Sequence, residues 1–172
     1  GFAQYEYVRE EVGRREPTRA IVDQAIAWLQ EHRDERFFLF VHSYDVHSDY
    51  KSLPQYEQQF VRPYDGPADG TTAQMSALRT GHGTFDAADV RHLIDLYDAG
   101  IRQFDDELAR LLAALGDRDD TLLVVTSDHG EEFLEHGGLL HGRTQYEEVV
   151  RVPLIVRGPG VPPGLDMLAT SD

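Results

Sequence analysis

The stretch TLLVVTSDHGEE, residues 121–132, joins a short apolar run to a cluster of ionisable side chains. The run at 121–126 is continuous and rich in β-branched residues, which predicts a buried strand. FFLFV at 37–41 is also predicted as a buried strand, because it is short, continuous and aromatic. VPLIV at 152–156 is predicted as a third strand, and Pro153 near its start is typical of an edge or entry position. With helices between them, these strands predict an α/β fold whose mostly parallel sheet carries helices on both faces.

Two helices are predicted from apolar periodicity. Residues 17–33 have one apolar face and a Pro-Thr start that is typical of a helix N-terminus. The second helix begins after Asp86 and ends at Gly116. Its expected apolar stripe consists of Val90, Leu93, Tyr97, Ile101, Phe104, Leu108, Leu111 and Leu115. The proline-broken segment 43–84 is interpreted as a long loop and, because of its length, as a functional one on the substrate side.

Composition limits the partners and the chemistry. The 172 residues are enough for one domain, taken here as 1–172, and 41% of them are hydrophobic. A net charge of −15 disfavours nucleic acid and anionic membranes. The sequence contains no cysteine, which excludes thiolate ligands and a cysteine nucleophile within it. No apolar run approaches the roughly 20 residues of a membrane span.

Histidines and carboxylates concentrate where the predicted strands end. Ligands of open α/β sheets gather beyond the carboxyl ends of strands, and imidazole and carboxylate are common metal ligands. This pattern predicts a metal or anion site. Five of the eight histidines lie in these clusters: His42, His47, His129, His136 and His141.

Simpler interpretations stay open at this point. Asp128 suits a helix cap, and Glu131 and Glu132 suit the N-terminus of a following helix through its dipole. Arg143 is either a surface cation or an anion contact beside two histidines.

Several pieces, in order, resemble the sulfatase family of the alkaline phosphatase superfamily. They are FFLFVHSYDVHSDY (37–50), YDAGIRQFDDELARLL (97–112), TLLVVTSDHGEEFLEHGG (121–138) and HGRTQYEEVVRVPLIVRGPG (141–160). The similarity extends through GFAQY at the start and the first helix, so it covers most of the chain. No single piece would suffice, but the ordered set is specific.

The resemblance implies roles for individual residues. Asp128 and His129 match two ligands of the divalent metal. His47 matches the histidine that contacts the ester near its leaving oxygen and acts as general acid. His141 matches the position that binds the transferred anion. Arg143 is predicted as a further substrate contact on other grounds, because a cation near two histidines in an acidic chain suits an anion. Calcium is the family's usual metal, while a histidine ligand also admits manganese or zinc, and magnesium is a further candidate.

The implied nucleophile is a formylglycine made from Cys or Ser in a C/S-x-P-x-R motif, which this sequence lacks. The chain is therefore expected to be the C-terminal-side portion of a catalytic domain, inactive alone, with the nucleophile and further carboxylate ligands upstream. Val46 stands where the family usually has proline, and Gln145 replaces the usual leucine. The resemblance also makes a periplasmic or secreted location plausible.

The expected activity is hydrolysis of a small-molecule or glycan sulfate ester. A phosphodiester or phosphonate-ester hydrolase, or a phosphoglycerol transferase, of the same superfamily is the nearest alternative. A non-catalytic remnant is the alternative of another class. Substrate, oligomeric state and the choice between sulfate and phosphate are left open by the sequence.

Overall fold

The structure is a computed structural model that describes residues 1–8, 17–47, 49–162 and 164. The chain divides into two compact units, and each is described by itself. The first comprises Gly1–Gly116 and Glu132–Leu140, and the second comprises Asp117–Glu131 and His141–Asp172. The elements in chain order are α1 (Pro17–Glu31), α2 (Pro54–Phe60), α3 (Thr72–Arg79), α4 (Ala87–Leu115), β1 (Leu123–Thr126), β2 (Glu132–Phe133), β3 (Leu139–Leu140), α5 (Glu147–Val150) and β4 (Leu154–Arg157).

The long helix α4 begins and ends where the sequence predicts. The Asp86 side chain accepts hydrogen bonds from the backbone N–H groups of Ala88 (2.6 Å) and Asp89 (3.0 Å). The Asp89 carboxylate in turn accepts from the backbone N–H of Asp86 at 2.8 Å, which completes a capping box. Gly116 ends the helix with a φ of 73°, a left-handed conformation that glycine adopts without a Cβ clash. The predictions of α4 and of α1 are confirmed.

The buried face of α4 is rotated from the predicted stripe. Leu93 is fully buried as expected, but Ile101 is 43% exposed. Leu96 and Ala99 are buried instead, together with the polar residues Asp89, Asp95 and Gln103. Polar residues lie on this face because their side chains bind neighbouring loops. A prediction from the apolar residues alone therefore places the buried face of α4 incorrectly.

The segment 43–84 is not one continuous loop, which corrects the sequence interpretation. It contains α2 and α3. Pro54 lies at the start of α2, where its missing N–H costs nothing. The Thr71 hydroxyl caps α3 by accepting from the backbone N–H of Gln74 at 3.3 Å. Both helices are short, and the prolines of this segment indicate breaks rather than helices, so the sequence pattern does not reveal them.

The core of the first unit gathers around Met75 and Leu93, which are both fully buried. The hairpin of β2 and β3 packs into this core, with Phe133 paired to Leu139 across the antiparallel ladder. Tyr50 meets Phe133 at a ring-centroid distance of 5.7 Å. In this core, the end of the 37–50 stretch therefore packs against the hairpin of β2 and β3.

The predicted buried strand at 37–41 is wrong for the described residues. The segment forms no strand, and Phe38 and Phe40 are 75% and 66% exposed. Exposure alternates along the segment as it would in a strand, and Phe2 stacks on Phe38 at 5.8 Å. An apolar run becomes a buried strand only where neighbouring strands satisfy its backbone, and the described residues provide none beside it.

In the second unit, β1 and β4 form an antiparallel pair in which Val124 opposes Val156. Both strands were predicted as buried, but Val124 is 51% exposed and Leu154 is 67% exposed. A two-stranded ladder has no second layer of its own to cover its faces, which explains this exposure. The two described sheets are both antiparallel two-stranded pairs, so the mostly parallel sheet stays a prediction.

Among the residues that the structure describes, no helix has the length and the apolar character needed to cross a membrane.

The buried Asp95 anchors the segment after α2 to α4. Its carboxylate accepts from the Arg62 side chain at 2.8 Å (Nε) and 2.5 Å (Nη2), and from the Arg62 backbone N–H at 3.1 Å. The hydrogen bonds from Arg62 hold the pKa of Asp95 below its ordinary value. A carboxyl group whose pKa is lower in the folded state stabilises the fold above its unfolded pKa of about 3.9. This stabilisation is lost as the pH falls below that value and through the lower pKa of the folded state.

We therefore expect Asp95→Asn to lower the free energy of unfolding at pH 7 by about 1–3 kcal/mol. The variant should also lose less stability than the wild type between about pH 5 and pH 3. Urea denaturation across this pH range measures both effects. Asp105→Asn, in an exposed ion pair with Arg102 on the same helix, is the matched control and should change stability little. Parallel pH curves for wild type and Asp95→Asn would contradict the assignment.

Candidate active site

The end of β1 positions Asp128 and His129 in the second unit. The Thr126 hydroxyl donates to the Pro153 carbonyl at 2.9 Å, which holds the end of β1 beside the segment that leads into β4. The Ser127 hydroxyl donates to the His129 carbonyl at 2.7 Å. Residues 129–131 form no helix, so the interpretation of Asp128 as a helix cap is wrong. Instead, the Asp128 carboxylate accepts from the backbone N–H of His129 at 3.0 Å.

The hydrogen bond of the His129 ring leaves its Nε2 available to a metal. Its Nδ1 lies 2.8 Å from the Gly130 carbonyl oxygen. Because a carbonyl only accepts, Nδ1 carries the hydrogen and Nε2 carries the lone pair. That Nε2 lies 3.8 Å from Oδ2 of Asp128. This separation is less than twice an ordinary metal–ligand bond of about 2.0–2.6 Å, so both atoms can reach one divalent cation.

His141 lies against His129. Their ring centroids are 3.8 Å apart and their planes differ by 29°. The Nδ1 of His141 lies 2.9 Å from Oε1 of Glu131. The expectation that Glu131 marks a helix N-terminus is therefore wrong, since its carboxylate is 4% exposed and contacts an imidazole. Glu132, read in the same way, begins the strand β2.

Asp128, His129 and His141 line one surface cavity of about 340 Å³. Arg143 is exposed and stands in sequence between two residues of the cavity wall. The cavity is lined by Asp128, His129, His141, Gly142, Thr144, Gln145, Val149 and Val150. Three of the predicted site residues thus share one cavity, and a small anion fits its volume. Gln145, one of the two residues that depart from the family pattern, also lines this wall.

Metal coordination by Asp128 and His129 stays a prediction, and the geometry fits it only in part. Within the described residues, no group of three histidine or carboxylate ligand atoms lying within 4.8 Å of one another includes either residue. Two ligands bind a cation weakly, so a complete site needs further donors.

Gly130 lets the segment 128–131 approach α5. The N–H of Gly130 donates to the Val149 carbonyl at 2.7 Å, and that of Glu131 donates to the Glu148 carbonyl at 3.0 Å. A Cβ at Gly130 would clash with the Glu148 backbone oxygen. Only glycine allows this approach, which positions both His129 and Glu131.

Gly130→Ala is expected to destabilise the fold by about 1–3 kcal/mol, as overpacking does, and to weaken metal binding by displacing His129. Thermal unfolding and metal titration of the intact protein measure the two effects. Gly100→Ala is the control, because its Cβ would meet Val46 at an ordinary 3.6 Å and alanine favours a helix. A Gly130→Ala variant as stable as Gly100→Ala would contradict the close approach.

His47 belongs to the first unit and is half-buried, with its ring 4.7 Å from that of Tyr44. Its loop is tied to α1. The Asp45 carboxylate accepts from the backbone N–H of Thr18 at 3.2 Å, and the Thr18 and Ser43 hydroxyls share a hydrogen bond. Asp45 is thus more than a turn residue, since it holds the N-terminus of α1.

Val46 adopts a φ of 71°. Proline fixes φ near −65°, so the proline usual in the family at this position could not adopt this conformation. For a β-branched residue the conformation is strained, and the side chain of Val46 lies beside Gly100 of α4. The departure from the family pattern therefore changes the backbone directly before His47.

The larger cavity of the first unit, about 440 Å³, is lined in part by Asp65, Asp86 and Asp89. Asp86 and Asp89 already serve the capping box of α4, and Asp89 accepts a hydrogen bond from the Tyr64 hydroxyl. The fold thus accounts for two of the three carboxylates, Asp86 and Asp89, and the cavity contains none of the residues that the sequence predicts for the site.

Comparison with known proteins identifies the family of the chain. The sulfatase family profile matches residues 3–171. The chain is 30% identical over 165 residues to the multifunctional alkaline phosphatase superfamily protein PehA of Trinickia caryophylli, a match that covers 80% of this chain and 32% of that protein. It is 34% identical over 105 residues to a choline-sulfatase of Rhizobium meliloti, covering 58% of this chain and 20% of the relative. It is 37% identical over 82 residues to arylsulfatase K of Gallus gallus, covering 46% of this chain and 15% of the relative.

The chain belongs to the sulfatase family. Membership implies the α/β fold of the alkaline phosphatase superfamily. The chain spans about a third or less of the length of these curated relatives.

Proposed function

We propose that the intact protein hydrolyses sulfate esters with the help of a divalent metal. The observation that carries the proposal is the pair of Asp128 Oδ2 and His129 Nε2, 3.8 Å apart, in a cavity shared with His141. Family membership and relatives named as sulfatases support the same reaction. The substrate class is a small-molecule or glycan sulfate ester.

Each residue has a separate task. Asp128 and His129 would hold the metal, with calcium favoured by family habit and manganese, zinc or magnesium compatible with an oxygen and nitrogen donor set. A bound cation supplies charge stabilisation at the ester oxygens. His141 would contact the anionic group from the cavity wall, and Arg143, which stands between two wall residues in sequence, would be a further contact. His47 donates a proton to the departing oxygen as its bond to sulfur breaks.

The nucleophile is proposed to be a formylglycine outside residues 1–172. These residues contain no cysteine and no Ser-x-Pro-x-Arg sequence. Together with the two-ligand metal pair, this leads us to expect that the isolated chain does not turn over substrate.

A phosphoester substrate is the second candidate. Among the relatives compared above, PehA matches the largest share of this chain. It is named as a multifunctional alkaline phosphatase superfamily protein rather than as a sulfatase. The same cavity suits either tetrahedral anion. A non-catalytic remnant is a third candidate, which predicts weak or no metal binding and no turnover.

One assay separates these readings. Intact protein loaded in turn with Ca, Mn, Zn and Mg is offered an activated aryl sulfate and the matching aryl phosphodiester. We expect metal-dependent hydrolysis of the sulfate, and none by residues 1–172 alone. A preference for the phosphodiester would support the second candidate. Metal-dependent turnover by residues 1–172, abolished by Asp128→Ala, would contradict the expectation that the nucleophile lies elsewhere.

A further inference from the structure

We propose that Glu131 is a positioning residue that orients His141 toward the bound ester. The proposal rests on the proposed function of the cavity, which it deepens by adding a residue that touches neither the substrate nor the metal. No sequence pattern connects the two residues, because a carboxylate and a histidine ten positions apart share no periodic relation.

The first step is the burial of the Glu131 side chain, which is 4% exposed. A buried carboxylate is costly unless hydrogen-bond donors satisfy it. The Nδ1 of His141, 2.9 Å from Oε1, is one such partner. Since a carboxylate only accepts, Nδ1 carries the hydrogen, which defines the tautomer of His141.

The second step is that the backbone of Glu131, which carries the carboxylate, is held. The backbone N–H of Glu131 donates to the Glu148 carbonyl of α5 at 3.0 Å, beside the Gly130 to Val149 bond at 2.7 Å. Because its backbone is bonded to α5 and its side chain to His141, Glu131 holds the His141 imidazole in a defined position relative to α5. The acceptor does not have to be assembled when the substrate binds.

The third step is the constraint on the ring. Glu131 fixes one edge of the His141 ring, and the ring of His129 packs on its face at 3.8 Å. An imidazole held at an edge and at a face loses little further freedom on binding, which is the benefit of preorganisation. His141 forms part of the cavity wall, so its fixed orientation is presented to the anion that enters.

The test uses the intact protein with Glu131→Leu, Glu131→Gln and His141→Ala. Inorganic sulfate is the binding probe and the activated aryl sulfate is the substrate. We expect Glu131→Leu to weaken sulfate binding and kcat/KM on the order of 10–100-fold, the range for carboxylates that orient a functional histidine. Glu131→Gln should retain most of both, because its amide oxygen still accepts from Nδ1.

Two readouts distinguish positioning from a general structural role. In the His141→Ala background, Glu131→Leu should have no further effect, because it acts through the missing ring. Nitrogen NMR of ¹⁵N-histidine protein should find the His141 hydrogen on Nδ1 in wild type and Glu131→Gln, but a changed tautomer distribution in Glu131→Leu. Glu147→Leu, at an exposed position of α5, is the control for glutamate-to-leucine replacement.

An undiminished effect of Glu131→Leu in the His141→Ala background, or an unchanged His141 tautomer, would overturn the proposal. So would an equal loss in folded Glu131→Gln and Glu131→Leu variants. If Glu131→Leu does not fold, Glu131→Asp withdraws the acceptor by one methylene and takes its place. Sulfate binding and the NMR signal can be measured without turnover. If the protein hydrolyses no sulfate ester, the proposed function is contradicted, while these two measurements still test the role of Glu131.

Discussion

Asp128→Ala should remove metal-dependent turnover from the intact protein and lower its metal content. The side chain contributes the charged oxygen of a pair whose other member is Nε2 of His129, 3.8 Å away. Without the carboxylate, the neutral imidazole has little affinity for a hard cation such as calcium. We expect kcat/KM to fall more than about 10²-fold, beyond the loss typical of residues that only support a ligand.

The measurement is metal per protein by elemental analysis, together with turnover at increasing metal concentration. His129→Ala should have the same direction of effect. Asp119→Ala, an exposed aspartate of the same unit, is the matched control and should leave both quantities unchanged. Unchanged metal occupancy in both Asp128→Ala and His129→Ala would rule out this pair as ligands.

Local signals in the sequence were sufficient to predict the long helix. The capping side chain of Asp86, the terminating Gly116 and the periodicity between them are all properties of neighbouring residues. The rotation of its buried face was not predictable in this way, because Asp95 is buried through Arg62, 33 positions earlier. Polar residues of this kind enter a core through partners that periodicity does not reveal.

The strands were less predictable because their burial depends on neighbours distant in sequence. The runs at 121–126 and 152–156 contain strands, yet the segment 37–41 does not. All three have similar apolar composition, and only pairing distinguishes them. For the candidate site, the sequence indicated Asp128, His129 and His141 through the ordered motifs. It did not indicate Glu131, whose proposed role rests on its burial and its contact with His141.

His47→Ala is expected to slow the hydrolysis of esters with poor leaving groups by about 10²–10⁴-fold, the usual contribution of a protonating group. An alkoxide is a strong base, so its departure from sulfur needs a proton. An activated phenolate leaves without one. The same variant should therefore slow an activated aryl sulfate much less than an alkyl sulfate. The ratio of the two kcat/KM values in wild type and variant is the measurement.

This ratio, rather than the absolute loss, identifies a general acid. His47 lies in a loop that Asp45 ties to α1 and Val46 places beside Gly100, so its removal can also disturb binding. A disturbance of binding affects both esters, whereas loss of the proton affects only the poor leaving group. His42→Ala, at an exposed position of the same segment, is the control and should leave the ratio unchanged. An equal loss on both esters in His47→Ala would mean that His47 positions the substrate and that another group protonates the departing oxygen.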